Sequence, residues 1–239
     1  MMLCLDAGNS RLKYGLFSDG QWVVQGALEY AELDQLSERL PRAPKRVIIC
    51  NVAGADVAAS LDRLVSALGL EAEWFASSLS ACGVTNGYAL PTQLGADRWA
   101  ALIGARGIHA GDAVVVMSGT ATTIDVLDQA GHFRGGVILP GLSMMRQALA
   151  SGTAGLPLAI GEFDALPRNT DDAITSGAVQ ATLGAIERIS ALPLRETSSA
   201  TSLCLLSGGA AAALAPHLKV PYRLIDNLVL EGLARYGLK

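Results

Sequence analysis

Histidine and cysteine are scarce and dispersed, with three of the first and four of the second in 239 residues. His109, His132 and His217 share no motif, and Cys4, Cys50, Cys82 and Cys204 stand far apart. Their spacing offers no zinc site, no disulfide framework and no Ser/His/Asp arrangement. The cysteines read as buried thiols in a reducing compartment. Charge is thin as well: 17% of residues are charged and the net charge is -4, so no basic surface for a nucleic-acid partner is expected. Aromatic residues make up 5%, yet 51% of the chain is hydrophobic, which excludes a disordered chain and leaves enough for a proper core. No apolar run approaches the roughly 18 uninterrupted residues that a membrane span needs. Asp6 and Arg11 near the start, with no basic leader, do not read as a signal peptide, so the protein is expected to be cytoplasmic and apart from the membrane. The common phosphate loop G-x-x-x-x-G-K-[ST] is missing too.

What is present begins almost at once. Asp6-Ala7-Gly8-Asn9-Ser10-Arg11-Leu12-Lys13 lies between two apolar runs and reads as strand, tight turn, strand, with Gly8 and Asn9 tolerating positive φ. A plain hairpin is one reading of it. The chemistry in the turn gives another: Asp6 can hold a hydrated divalent cation, the amides around Gly8 to Ser10 can face an anion, and Lys13 adds a point charge.

Further strands are expected at 21–28, 46–52 and 74–75, and helices at 31–40 and 55–68, from apolar spacing and the stops at Pro41, Pro44 and Gly69. This order is that of a mixed α/β unit. Residues 77–91 are small and turn-forming, a loop of the kind that carries function. Gly95-Ala96-Asp97-Arg98-Trp99 then opens a helix, where Asp97 is equally readable as a dipole-favoured acid of the first turn.

A strand at 113–117 leads into a second small polar turn, Ser118-Gly119-Thr120-Ala121-Thr122-Thr123, and a strand from Ile124. At a constant offset of 111, Gly8 falls on Gly119, Leu16 on Leu127 and Gly20 on Gly131. Two strand-turn-strand units, each opening about half of the chain, predict two related halves, 1–112 and 113–239, with a cleft between them. The second half continues with a strand over 135–140 and helices at 142–150 and 173–192, the latter with Thr170 or Asp171 near its cap. A strand at 202–206, the turn Ser207-Gly208-Gly209 into a helix at 210–218, a strand at 222–225 and a helix at 227–237 complete it.

Taken together these motifs resemble the type III pantothenate kinases. Residues 6–13 look like that family's N-terminal phosphate motif, with Ser10 where threonine is usual. Gly95 to Trp99 is similar to its substrate motif, Gly119 to Thr123 to its second phosphate turn, and Gly135-Gly136 through Pro140-Gly141 to the segment after it. Asn169-Thr170 with Ser176-Gly177, Ser207-Gly208-Gly209, and Asp226 with Gly232 follow in the family's order. The resemblance implies an α/β fold of duplicated ribonuclease H-like domains of the actin and sugar-kinase superfamily, with mixed five-stranded sheets, in a homodimer. It implies transfer of the ATP γ-phosphoryl group to pantothenate on the way to coenzyme A. By the same resemblance Asp97 is the general base, and Tyr88, Gly95, Ala96, Arg98 and the partner's Thr170 bind pantothenate. Asp6 (with Mg²⁺ through water), Gly8, Asn9, Ser10, Lys13, Thr120, Gly208 and Gly209 address ATP. One position departs: Met117 stands where the family commonly has the aspartate of a potassium or ammonium site, and a thioether suits a hard cation poorly. Two other readings stay open, an accessory or regulatory relative and a kinase of another carboxylate-bearing acceptor.

Overall fold

The computed structural model describes residues 1–192 and 202–238. Its elements run β1 (Met2–Ala7), β2 (Leu12–Ser18), β3 (Gln21–Leu28), a 3-10 turn (Tyr30–Gln35), α1 (Leu36–Arg39), β4 (Arg46–Asn51), α2 (Ala55–Ala67), β5 (Ala72–Trp74), β6 (Ser80–Ala81), β7 (Val84–Thr85), a 3-10 turn (Pro91–Gln93) and α3 (Ala96–Ile108). There follow β8 (Ala113–Ser118), β9 (Ala121–Leu127), β10 (Phe133–Pro140), α4 (Leu142–Gly152), α5 (Thr170–Ser190), β11 (Leu203–Ser207), α6 (Ala211–Leu214), a 3-10 turn (Ala215–His217), β12 (Tyr222–Leu224) and α7 (Leu228–Gly237).

The chain divides into two compact units, one of Met1–Ala110 with Gly131–Phe133 and Asn227–Lys239, the other of Gly111–Ala130 with Arg134–Asp226. This differs from a single cut after residue 112. The C-terminal helix α7 returns to the first unit because its glycine face lies on α3: a Cβ on Gly232 would meet the Ala100 carbonyl at 1.8 Å.

Each unit is built on a five-stranded sheet, ordered β3-β2-β1-β4-β5 in the first and β10-β9-β8-β11-β12 in the second. In both, the central strand pairs antiparallel with the strand after it and parallel with a later one: β1 with β2 and β4, β8 with β9 and β11. The repeat inferred from the offset of 111 is therefore repeated strand order as well. β1, β4 and β8 read as near-continuous apolar runs because both their faces are covered, whereas the edge strand β3 alternates. Leu3, Leu5, Leu16, Val47, Ile49 and Leu61 form the core on one face of the first sheet. Val114, Val116, Ile124, Leu183, Ile186 and Leu206 do so in the second unit.

Several local expectations shift. The turn between β1 and β2 spans residues 8–11, and neither Gly8 nor Asn9 has positive φ; that conformation belongs to Asp19 (φ 51) and Gly20 (φ 80), the tight turn between β2 and β3. The helix expected at 31–40 is a 3-10 turn followed by the short α1, because Glu32 leaves helical φ/ψ. The loop at 77–91 holds the small β6–β7 ladder. Thr122 and Thr123 belong to β9, so the second polar turn is shorter than its residue types implied. The helix after Gly209 ends at Leu214 and tightens to a 3-10 turn around Pro216, whose ring removes the amide a longer helix needs. Asn169, ahead of Thr170, caps α5 by accepting from the Asp172 amide at 2.9 Å.

Candidate active site

In the first unit, Asp6 and Lys13 are cross-strand partners in the β1–β2 register, and Lys13 Nζ lies 3.5 Å from Asp6 Oδ2. Asp6 is buried at the end of the central strand. Burial pushes its carboxyl up to about 6, a rise that Lys13 opposes and the charge of Asp97 reinforces. The same two carboxylates, after burial, hold the Cys50 thiol well above its ordinary value. Asp6 and Asp97 thus share one electrostatic neighbourhood, although they come from different elements. Beyond Asp6 the chain turns through residues 8–11, where Gly8 is half-buried and Asn9, Ser10 and Arg11 are exposed. The Tyr30 hydroxyl donates to the Gly8 carbonyl.

α3 carries the other group. Gly95 precedes the helix, Asp97 sits in its first turn, and the Asp97 carboxylate curls back over it: Oδ1 accepts from the Arg98 amide at 2.8 Å, and a Cβ on Gly95 would come within 2.8 Å of the same oxygen. The dipole of the helix favours an acid here, so the structural role expected for Asp97 is real. It leaves Asp97 half-buried rather than sealed in the core.

Arg98 is buried, with only 5% of its surface exposed. Its guanidinium donates to the Tyr88 hydroxyl at 2.8 Å and stands 5.6 Å from the Tyr88 ring centroid and 5.8 Å from that of Phe133. The two rings are 5.4 Å apart. Such contacts hold a planar cation in place. Tyr88 is fixed in turn by Asn86, whose Oδ1 accepts from the Tyr88 amide at 3.0 Å and whose Nδ2 donates to Ser77 Oγ at 3.0 Å and the Pro91 carbonyl at 3.2 Å. Segment 131–133 is tied in by the Thr85 amide, which donates to the Gly131 carbonyl at 2.8 Å.

The second unit brings together Thr120, Gly208 and Gly209. The Gly119 amide closes the β8–β9 turn on the Ala121 carbonyl at 2.9 Å, and the Gly141 amide donates to the Thr120 carbonyl at 2.9 Å, leaving Thr120 exposed at the tip. Gly208 has φ 103, and a Cβ there would lie 2.3 Å from the Ser118 carbonyl; the Ala210 amide also donates to that carbonyl, at 3.0 Å. Only glycine fits so close an approach in that conformation. In this unit too, Thr170 lies at the rim of a groove of about 920 Å³ between α4 and α5, lined by Met145, Leu149, Ala173, Ile174 and Ala178.

A family model described as type III pantothenate kinase matches residues 2–191. The chain belongs to that family. A relative from Aromatoleum aromaticum, named type III pantothenate kinase, is 48% identical over 237 residues, covering 98% of this chain and 96% of its own. One from Dechloromonas aromatica with the same name is 47% identical and covers all of both chains. Among solved structures, the activator of the 2-hydroxyisocaproyl-CoA dehydratase from Clostridium difficile with bound ADPNP superposes with a TM-score of 0.54 at 11% identity, covering 99% of this chain and 92% of that one. The fold is that of the actin and sugar-kinase superfamily, with two ribonuclease H-like units.

Two residues of the first unit were not visible as site residues in the sequence. Tyr30 sits just before the stretch that reads as helix, and Phe133 precedes Gly135-Gly136 with nothing to connect it to Arg98. Both are brought in by tertiary packing.

Proposed function

We propose that this chain is an ATP-dependent kinase that phosphorylates pantothenate in the first step of coenzyme A biosynthesis. The observation that carries the reading is the near full-length likeness to relatives of that name. The first unit has the parts the reaction asks for: a buried carboxylate paired with a lysine, a second carboxylate at a helix start, and a guanidinium held beside two aromatic rings.

In this reading Asp97 takes the proton of the pantothenate hydroxyl as its oxygen bonds to the γ-phosphorus and the bond from that phosphorus to the ADP oxygen breaks. Arg98 holds the pantothenate carboxylate, Tyr88 orients Arg98, and Gly95 and Ala96 leave room beside Asp97. Gly8, Asn9 and Ser10 offer amides and side chains to the phosphates, Lys13 and Thr120 hold the terminal ones, and Gly208 with Gly209 face the adenosine. Positioning and charge do most of the work in such a transfer.

A kinase of ATP calls for a divalent ion, and Asp6 fits Mg²⁺ bound through water. Its buried carboxylate meets one lysine and a second negative charge, a balance that a divalent cation improves. When bound, Mg²⁺ neutralises charge on the β- and γ-phosphates. Among the described residues no cluster of three or more His, Cys, Asp or Glu could hold a metal by protein ligands alone. Met117, near the end of β8, offers a thioether, a poor ligand for potassium or ammonium, and no step is assigned to such an ion.

The protein is read as a homodimer, with Thr170 serving the partner's pantothenate site. The apolar α4–α5 groove beside Thr170, with Met144 and Leu149 exposed along α4, supports that reading. The protein is read as cytoplasmic, a location in which its four free cysteines stay thiols. No helix among the described residues is long and apolar enough to cross a membrane.

The test is ADP release with and without pantothenate, alongside other carboxylate-bearing acceptors. Release that depends on pantothenate and yields a phosphorylated product upholds the reading. Release only with another acceptor reassigns the substrate, and none with any acceptor makes the chain an accessory protein.

A further inference from the structure

The turn at residues 8–11 is anchored on both sides by the sheet, through Ala7 paired with Leu12 and the Val52 amide donating to the Ala7 carbonyl at 3.0 Å. Its first peptide is the one a glycine leaves easiest to rotate, since Gly8 has no Cβ to resist a flip of the plane. The Tyr30 hydroxyl holds that plane by donating to the Gly8 carbonyl. The described residues contain no cis peptide bond, and in a trans peptide the carbonyl and the following N–H point to opposite sides. Fixing the Gly8 carbonyl towards Tyr30 therefore turns the Asn9 amide the other way.

We propose that Tyr30 is a positioning residue for ATP: by holding the Gly8 carbonyl it presents the Asn9 amide to a phosphate oxygen before the nucleotide arrives. This rests on reading residues 6–13 as a phosphate site. Tyr30 packs against the core of the first unit, so the hydroxyl is delivered from a fixed base. Tyr30 reaches the turn because the preceding strand β3 pairs Leu28 with Leu12, at the far side of the same turn. Burial and the charge of Asp6 push the Tyr30 hydroxyl up to about 12, so it keeps its proton and stays a donor through the working pH range. An amide already aimed costs no reorganisation when the phosphate binds.

Steady-state kinetics of the full chain, with ATP and pantothenate varied in turn, test this on wild type, Tyr30→Phe and Lys13→Ala. Tyr30→Phe keeps the ring and removes the donor. It is expected to raise KM for ATP about five- to tenfold, the scale of the one neutral hydrogen bond that the substitution removes. KM for pantothenate should stay within about twofold, a split that general loosening would not produce. Equilibrium titration with ADP and with adenosine gives a second readout without turnover: ADP weakens and adenosine does not. Unchanged ATP and ADP affinity in Tyr30→Phe overturns the proposal whatever Lys13→Ala does, and equal weakening of ADP and adenosine overturns it as well. An unchanged KM for ATP in Lys13→Ala overturns the phosphate reading of the turn separately.

Discussion

Asp6 and Lys13 face each other across the first hairpin, 3.5 Å apart, yet the Asp6 carboxyl is pushed up to about 6 rather than down. Burial outweighs the lysine, and the charge of Asp97 adds to the rise. The ordinary value, 3.8, applies to the unfolded chain, so the folded state binds this proton more tightly. Its contribution to stability is full below pH about 4 and is lost as pH rises through about 6. An ionised Asp6 thus costs the empty enzyme on the order of 2–3 kcal/mol at neutral pH.

Asp6→Asn should accordingly raise the unfolding midpoint at pH 7.5, leave it nearly unchanged at pH 4, and abolish activity. Thermal unfolding at the two pH values checks it. A lower midpoint for the variant at pH 7.5 would show that Lys13 prevails over burial.

Asp97→Asn should keep the fold and lower kcat by about 10²–10⁴, the range a general base contributes. The amide oxygen can still accept from the Arg98 N–H, so the contact at the helix start survives and the unfolding midpoint should move little. Circular dichroism with kcat separates the two roles. Full turnover with an intact fold would place the proton acceptor elsewhere.

Arg98→Lys keeps the charge and loses the planar fork that lies against Tyr88 and Phe133. KM for pantothenate is expected to rise at least about tenfold, with KM for ATP unchanged. Measuring both constants decides it, and an equal rise in the two would mean that Arg98 supports the unit as a whole.

The repeated hairpins, the succession of strands and helices along the first unit and the motif at Gly95 to Trp99 were legible because each is local: apolar runs, glycine turns and a helix start leave marks within a few residues. The clamp on Arg98 was not. Phe133 and Tyr88 are far from each other in the chain, and Tyr88 is placed by the buried Asn86, whose bonds to the Tyr88 amide and the Pro91 carbonyl leave no mark in spacing. Nor could spacing tell that α7 would return to the first unit, since its amphipathic face suits either core. The bond from Tyr30 to Gly8 joins a side chain to a carbonyl, and a backbone acceptor has no identity in a sequence.

Gly208→Ala tests the second unit. Its φ of 103 is left-handed, and the added Cβ would sit 2.3 Å from the Ser118 carbonyl, which is backbone and cannot swing aside. Strain and displacement together should cost about 2–4 kcal/mol, read as a lower unfolding midpoint. An unchanged midpoint would mean that the β8–β9 turn moves freely against residue 208.

Met117 leads to the last expectation. It pairs with Thr123 across β8 and β9, and the buried Thr123 hydroxyl has no hydrogen-bond partner among the described residues. Directly opposed residues in an antiparallel pair point to the same face, so that hydroxyl meets a thioether at residue 117, and the carboxylate on the same face is that of Asp125, two residues along β9 and opposite Val115. Potassium and ammonium should therefore leave the wild-type rate within about twofold of that in sodium. Met117→Asp would place a carboxylate beside that hydroxyl and should make the rate respond to potassium. Rates in matched sodium, potassium and ammonium buffers check both. Strong potassium activation of the wild type would mean that oxygens from elsewhere in the second unit form the site without residue 117.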